Sequence, residues 1–162
     1  MHDWVGGNKK AIAFLRVSSH RQKDNTSHGT QENELRTYCL ELNLELIEIF
    51  PIVESAKKAD ERKQYQQAHS FALKNGIRHL LFYMHDRETR NLTDNEKNEE
   101  LVLNNQIVLH YVKDRKVIHS ESPDGDFFQR DMMALMNKHF IRNLRTKSMD
   151  GTKKKAEEGW FP

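Results

Sequence analysis

The sequence has a single cysteine, Cys39, among 162 residues, so no disulfide can form within the chain. None is needed, because a chain of this length can bury a core large enough to fold unaided. Long hydrophobic runs are missing too. No apolar stretch approaches the roughly 20 residues of a membrane span, and the start, MHDWVGGNKK, lacks a signal-peptide core. These absences predict a cytoplasmic protein without a membrane association. The nine histidines do not cluster at ligand spacing. With neither H-E-x-x-H nor a Cys/His array, no metal site is expected. The glycine-rich nucleotide-binding patterns and the G-x-S-x-G elbow are also absent, as are repeats and low-complexity blocks.

Charge of one sign is lacking overall, with 26 Lys and Arg against 24 Asp and Glu, a net charge of +2. The distribution is less even. Residues 93–100, TDNEKNEE, are acidic, whereas Lys138, Arg142, Arg145, Lys147, Lys153, Lys154 and Lys155 make the last stretch basic. A localised basic stripe is a footprint of nucleic-acid binding, although a solvated helix face gives the same pattern.

Strands and helices alternate along the chain. KAIAFLRV, residues 10–17, is apolar without clean alternation, as in a strand covered on both faces. Residues 18–29 are polar, include Gly29 and predict a loop. Leu35, Tyr38, Cys39 and Leu42 then recur at helical spacing within residues 30–42, which makes Cys39 a core residue. LELIEIFPIV (44–53) predicts a second strand, and residues 61–74 a helix closed by Asn75-Gly76. IRHLLFY (77–83) predicts a third strand, followed by a helix through Asn105, a fourth strand at 107–112, and a short fifth in KVIHS. The expected fold class is α/β: a mixed, mostly parallel sheet of four to five strands flanked by helices.

Beyond Pro123-Asp124-Gly125 the pattern changes. Phe128, Met132, Leu135, Met136, Phe140 and Leu144 recur at helical spacing, predicting one helix from about Phe127 to Glu158. Its first half has an apolar stripe and its second half is basic. Self-association through one half and anion contact through the other fit that polarity, as does packing of the stripe on the chain's own sheet. We divide the chain into a core, residues 1–125, and this helix with the start of a linker, residues 126–162.

In parallel sheets, sites form at the carboxyl ends of strands. The first predicted strand runs into Ser18-Ser19, and the third into His85-Asp86-Arg87. A serine hydroxyl needs activation to act as a nucleophile, and His20 is too close in sequence to read as its base. Both serines could equally serve a turn. Arginine is well represented: Arg16, Arg87 and Arg90 lie in these two segments. Guanidinium forks fit phosphate oxygens, and converging arginines would stabilise charge developing on a phosphoryl group. Asp86 could orient a guanidinium or handle a proton. In an extended strand residues i and i+2 share a face, so Arg16 falls with Ser18 and not with Ser19.

F-L-R-V-S-S-H-R-Q (14–22) resembles the Y-x-R-V-S-x-x-x-Q signature of serine recombinases, the resolvase/invertase family. D-R-E-T-R (86–90) is similar to that family's D-R-L-x-R, and E-S-A…D-E-R-K (54–63) to its mobile loop carrying a serine and an arginine. The tail NLRTKSMDGTKKKAEEGWFP resembles the end of the long helix in large serine recombinases and related transposases. The likeness runs from Lys10 to Pro162.

The resemblance implies a resolvase-like catalytic domain that breaks and rejoins DNA. Ser18 would attack a phosphodiester, giving a 5′-phosphoserine link and a free 3′ hydroxyl. Arg16, Arg87 and Arg90 would bind the scissile phosphate, Asp86 would assist, and Gln22 would hold the loop. Arg62 and Ser55 would complete the site. Arg145, Lys147, Lys153, Lys154 and Lys155 would contact DNA. No metal or other cofactor is implied. Homodimers would bind double-stranded DNA, and a homotetramer would exchange strands by subunit rotation. Large recombinases continue into DNA-binding domains beyond such a helix. Three positions depart from the pattern: Phe14 for tyrosine, Glu88 for leucine and Ala56 for glycine. Two other readings compete: a non-enzymatic module that dimerises and touches DNA with an idle site, and a metal-dependent α/β phosphotransfer or nuclease domain.

Overall fold

The computed structural model describes residues 7–18, 25–54, 58–84 and 92–157, with the side chains at positions 18, 25–28, 54, 58–59, 92–93, 137–138, 140–141, 144–145 and 154–156 outside that description. Five strands form one sheet in the order β2-β1-β3-β4-β5. They are β1 (Lys10–Ser18), β2 (Glu45–Glu54), β3 (His79–Phe82), β4 (Val108–Tyr111) and β5 (Lys116–Ile118). All neighbours run parallel except β4 and β5. The mixed, mostly parallel α/β sheet expected from the sequence is the observed fold.

The absence of alternation in β1 has a direct cause. Ala11, Ala13 and Leu15 pack on one side with Leu35, Tyr38 and Cys39 of helix α1 (Asn25–Glu41). Ile12 and Phe14 face the other side, where Ala68 and Ala72 of α2 (Lys58–Lys74) and Val102 of α3 (Leu92–Leu103) cover them. A strand with helices on both faces must be apolar at every position. Phe14 stacks on Phe82 at 4.5 Å between centroids, with Tyr65 and His69 of α2 at 5.3 and 5.6 Å. The phenylalanine that stands in for a tyrosine is thus a core residue, 1% exposed.

Each of the first three helices ends in the same way. Asn43, Gly76 and Asn105 adopt φ of 53°, 63° and 57°, and the residue after each donates back to the last helical turn. The bonds are Leu44 N–H to Cys39 O (2.8 Å), Ile77 N–H to Ala72 O (2.8 Å) and Gln106 N–H to Leu101 O (2.9 Å). These are Schellman stops, with asparagine twice taking the left-handed position that glycine fills most easily.

Two sequence expectations need correction. Residues 25–29, expected as loop, begin α1, so Gly29 lies inside a helix. Burial of Leu35, Tyr38 and Cys39 overrides the local polarity of the helix start. Likewise α2 starts at Lys58 rather than residue 61.

The last helix, α4, spans Asp124–Glu157, 34 residues, or about 51 Å at 1.5 Å per residue. It starts three residues before the expected Phe127. It docks through its beginning, where Phe127 packs against the core and Arg130 is 2% exposed. Phe128, Met132, Leu135 and Met136 are exposed. Packing of the apolar stripe on the chain's own sheet is therefore excluded for these four residues.

Candidate active site at the carboxyl edge of the sheet

The topology selects one edge. From β1 the chain crosses through α1 on one face to reach β2. From β2 and β3 it crosses through α2 and α3 on the other face. β1 and β3 are therefore neighbours whose following helices lie on opposite sides. A crevice at the carboxyl ends of two such strands is where open α/β sheets place their sites. The segments singled out in the sequence lie at the ends of these two strands, Ser18-Ser19 where β1 closes and His85-Asp86-Arg87 later in the chain than β3.

Arg16 lies on β1 with only 9% of its surface exposed, at a position paired with Ile52 of β2. It has the parity of Ile12 and Phe14 and so faces α2. Its guanidinium lies 3.8 Å from the carboxylate of Glu61 in the first turn of α2. The next residue, Arg62, meets Asp94 in the first turn of α3 at 3.7 Å. Side-chain exposure separates the two arginines, 7% for Arg16 against 48% for Arg62. The buried one is set in place, while the exposed one can still reach a ligand. Ser18 is the last residue of β1, two positions beyond Arg16 and paired with Glu54.

The structure thus brings Arg16, Ser18 and Arg62 to one edge. Gln22, Ser55, Asp86, Arg87 and Arg90 lie outside the described residues. Glu61 and Asp94 were not picked out from the sequence. Glu61 stood inside the quoted D-E-R-K, and Asp94 inside an acidic run that looks like plain solvated surface. Local pattern carried no sign of partners so far away in the chain.

α2 is held firmly behind this edge. Gln64 Oε1 accepts from Val53 N–H at 2.9 Å, and Asn98 of α3 donates to the Tyr65 hydroxyl at 2.8 Å. Among the described residues no group of three or more His, Cys, Asp or Glu is arranged to hold a metal ion. Cys39 is buried in the α1 interface, which pushes its thiol up to about 11 and leaves it inert near neutral pH.

A groove of about 670 Å³ lies elsewhere, between α3 and α4, lined by Asn95, Glu96, Glu99, Glu100 and Asp131 among others. Burial, then the charge of Asp131, raises the Glu99 carboxyl above its usual range. Its acidic lining repels a polyanion, so it does not compete with the sheet edge for one.

The profile of the Resolvase, N-terminal domain family matches residues 11–160. The chain belongs to this family. The resemblance to the resolvase/invertase family is thereby borne out. Solved resolvase-family structures share the fold. A resolvase family site-specific recombinase from Streptococcus pneumoniae is 19% identical, with a TM-score of 0.58 over 91% of this chain and 98% of that one. The N-terminal catalytic domain of TP901-1 integrase is 17% identical, with a TM-score of 0.52 over 85% and 99% of the two chains. The C-terminal catalytic domain of ISC1926 TnpA, an IS607-like serine recombinase, is 19% identical, with a TM-score of 0.54 over 91% and 99%. Comparison with curated protein sequences gave no match. Among the described residues of this resolvase domain, no helix is long and apolar enough to cross a membrane.

Proposed function

We propose that this resolvase domain is the catalytic domain of a site-specific DNA recombinase, with Ser18 as its nucleophile. The Ser18 hydroxyl attacks a DNA phosphorus. A serine–phosphate bond forms, the bond to the 3′ oxygen breaks, and that oxygen leaves with a proton as a free 3′ hydroxyl. The reverse attack, after strand exchange, reseals the DNA. The covalent link conserves the bond energy, so no cofactor enters the scheme. Arg16, Arg87 and Arg90 hold the phosphate and the charge that develops on it. Asp86 handles a proton, Gln22 supports the loop after β1, and Arg62 and Ser55 complete the site.

One observation carries this proposal: the family match spans residues 11–160, and within it the buried Arg16 lies two residues before Ser18 on the strand beside β3. Self-association of the domain, as dimers on DNA and a tetramer during strand exchange, is supported by the exposed Phe128, Met132, Leu135 and Met136 of α4. DNA contact along the same helix is supported by the exposed Arg142, Lys147 and Lys153. The proposed roles of Arg145, Lys154 and Lys155 follow from their place in that basic stretch.

The test is a covalent adduct assay on recombination-site DNA with the full-length protein. A protein–DNA adduct resistant to denaturant is expected with the native chain and not with Ser18→Ala. An adduct that persists in Ser18→Ala removes Ser18 as nucleophile. Cleavage that stops with chelator points instead to metal-dependent chemistry.

A further inference from the structure

The pair formed by Arg16 and Glu61 has three properties that together suggest a task. Both side chains are withdrawn from water, at 7% and 14% exposure, so their attraction is screened little by salt. Their separation, 3.8 Å, is ion-pair distance but too long for a hydrogen bond. A carboxylate held at that distance offsets the guanidinium charge without a hydrogen bond to it. A phosphate oxygen pair, free to approach, makes the shorter bidentate contact. Finally, Glu61 is in the first turn of α2, while the helix body is fixed by Gln64 on Val53 and by Tyr65 and His69 against Phe14. The carboxylate is placed by the fold and is not a stray surface charge.

We propose that Glu61 is a positioning residue that holds Arg16 in the DNA-free protein as an internal stand-in for phosphate, and gives way when a DNA phosphodiester arrives. This rests on the assignment of Arg16 to the scissile phosphate. A phosphodiester and a carboxylate cannot share one buried guanidinium without repelling each other. Entry of DNA is therefore coupled to withdrawal of Glu61, and the site is restrained until DNA is engaged. Arg62 and Asp94 repeat the arrangement in a more exposed form.

The test uses the full chain with Ser18→Ala, so that only non-covalent binding is read, and a short DNA duplex of arbitrary sequence titrated by fluorescence anisotropy. Glu61→Gln keeps the shape and removes the charge. It is expected to tighten binding about tenfold, the equivalent of about 1.4 kcal/mol, while Glu61→Asp stays close to the parent. The gain must vanish when Arg16→Gln is combined with Glu61→Gln. Should glutamine not be accommodated, as read by thermal unfolding, Glu61→Ala is the second neutral variant and is expected to show the same Arg16-dependent gain. Unchanged or weaker binding in the folded neutral variants overturns the proposal. So does a gain that survives Arg16→Gln, since that reports only a change in overall charge. The adduct assay on the Ser18-containing chain is read separately. Its failure removes the recombinase assignment without altering the Arg16–Glu61 result.

Discussion

Arg130 of α4 donates from Nε to the hydroxyl of Tyr111 on β4 at 3.1 Å, and both side chains are buried. The same guanidinium donates to the Asn95 carbonyl at 3.1 Å and meets Glu99 at 3.5 Å, both on α3. One arginine therefore fastens the start of the long helix to the sheet and to the helix beside it. Phe128, Met132, Leu135 and Met136 of the same helix face water instead.

Replacing Arg130 with Met keeps much of its volume but leaves the Tyr111 hydroxyl, the Asn95 carbonyl and Glu99 short of a partner. We expect a loss of about 3 kcal/mol, because removing one member of a buried polar cluster leaves the others desolvated. Urea denaturation measures it, and a loss under 1 kcal/mol would show that the cluster is incidental to stability.

The exposed stripe predicts the opposite behaviour. Phe128→Ser and Met136→Ser touch residues that are 68% and 65% exposed. Stability of the isolated domain is expected to change by no more than about 0.5 kcal/mol each. Sedimentation should show weakened self-association if this stripe is the contact between copies, and an unchanged mass distribution would place that contact elsewhere.

A buried relay predicts acid sensitivity. The Asn8 carbonyl accepts from His79 Nε2 at 2.8 Å, His79 Nδ1 meets His110 Nε2 at 3.0 Å, and His110 Nδ1 meets the Tyr38 hydroxyl at 3.1 Å. The carbonyl can only accept, so each neutral ring donates through Nε2 and accepts through Nδ1, with the tyrosine donating last. Burial lowers both histidines below their ordinary value, His110 further, and raises the tyrosine to about 12. The folded state thus binds protons less readily than the unfolded chain. Stability is full above the unfolded histidine value of roughly 6.5 and falls as pH drops below it toward the folded values. Thermal unfolding between pH 7.5 and pH 5 should show a steeper decline in the native chain than in the double variant His79→Leu, His110→Leu; parallel profiles would count against the relay.

Tyr38→Phe tests the far end of the same chain. It removes the donor to His110 and is expected to cost about 1–3 kcal/mol at pH 7, read by denaturant midpoint. A neutral result would mean that His110 has another donor.

Lys147 and Lys153 are exposed on the basic half of α4. If that half follows the DNA backbone, each Lys→Ala change should reduce the slope of log affinity against log salt by about one. Affinity should fall alike on all sequences, because phosphate contacts carry no base information.

Much of this was readable in the chain. The unalternating run at β1 marked a central strand, and the regular exchange of strands and helices marked a mostly parallel sheet. Asn75-Gly76 marked the end of α2. These are local properties, set by side-chain period and backbone preference. The start of α1 departs from the expectation for the same reason: its polar first turns look like loop, while the burial of Leu35, Tyr38 and Cys39 is set by distant parts of the chain.

By itself the sequence determined the elements, the family signatures and the order of the motif segments, because each is written over a few consecutive residues. The tertiary structure decided what lies beside what. It placed β1 next to β3, a neighbour far along the chain, and so joined the two motif-bearing strand ends. It set Glu61 against Arg16 and Asp94 against Arg62, withdrew Arg130 from solvent, and left Phe128 and Met136 in it. Strand order and burial follow from how helices of given faces cover a sheet, and no periodicity within one segment contains that information.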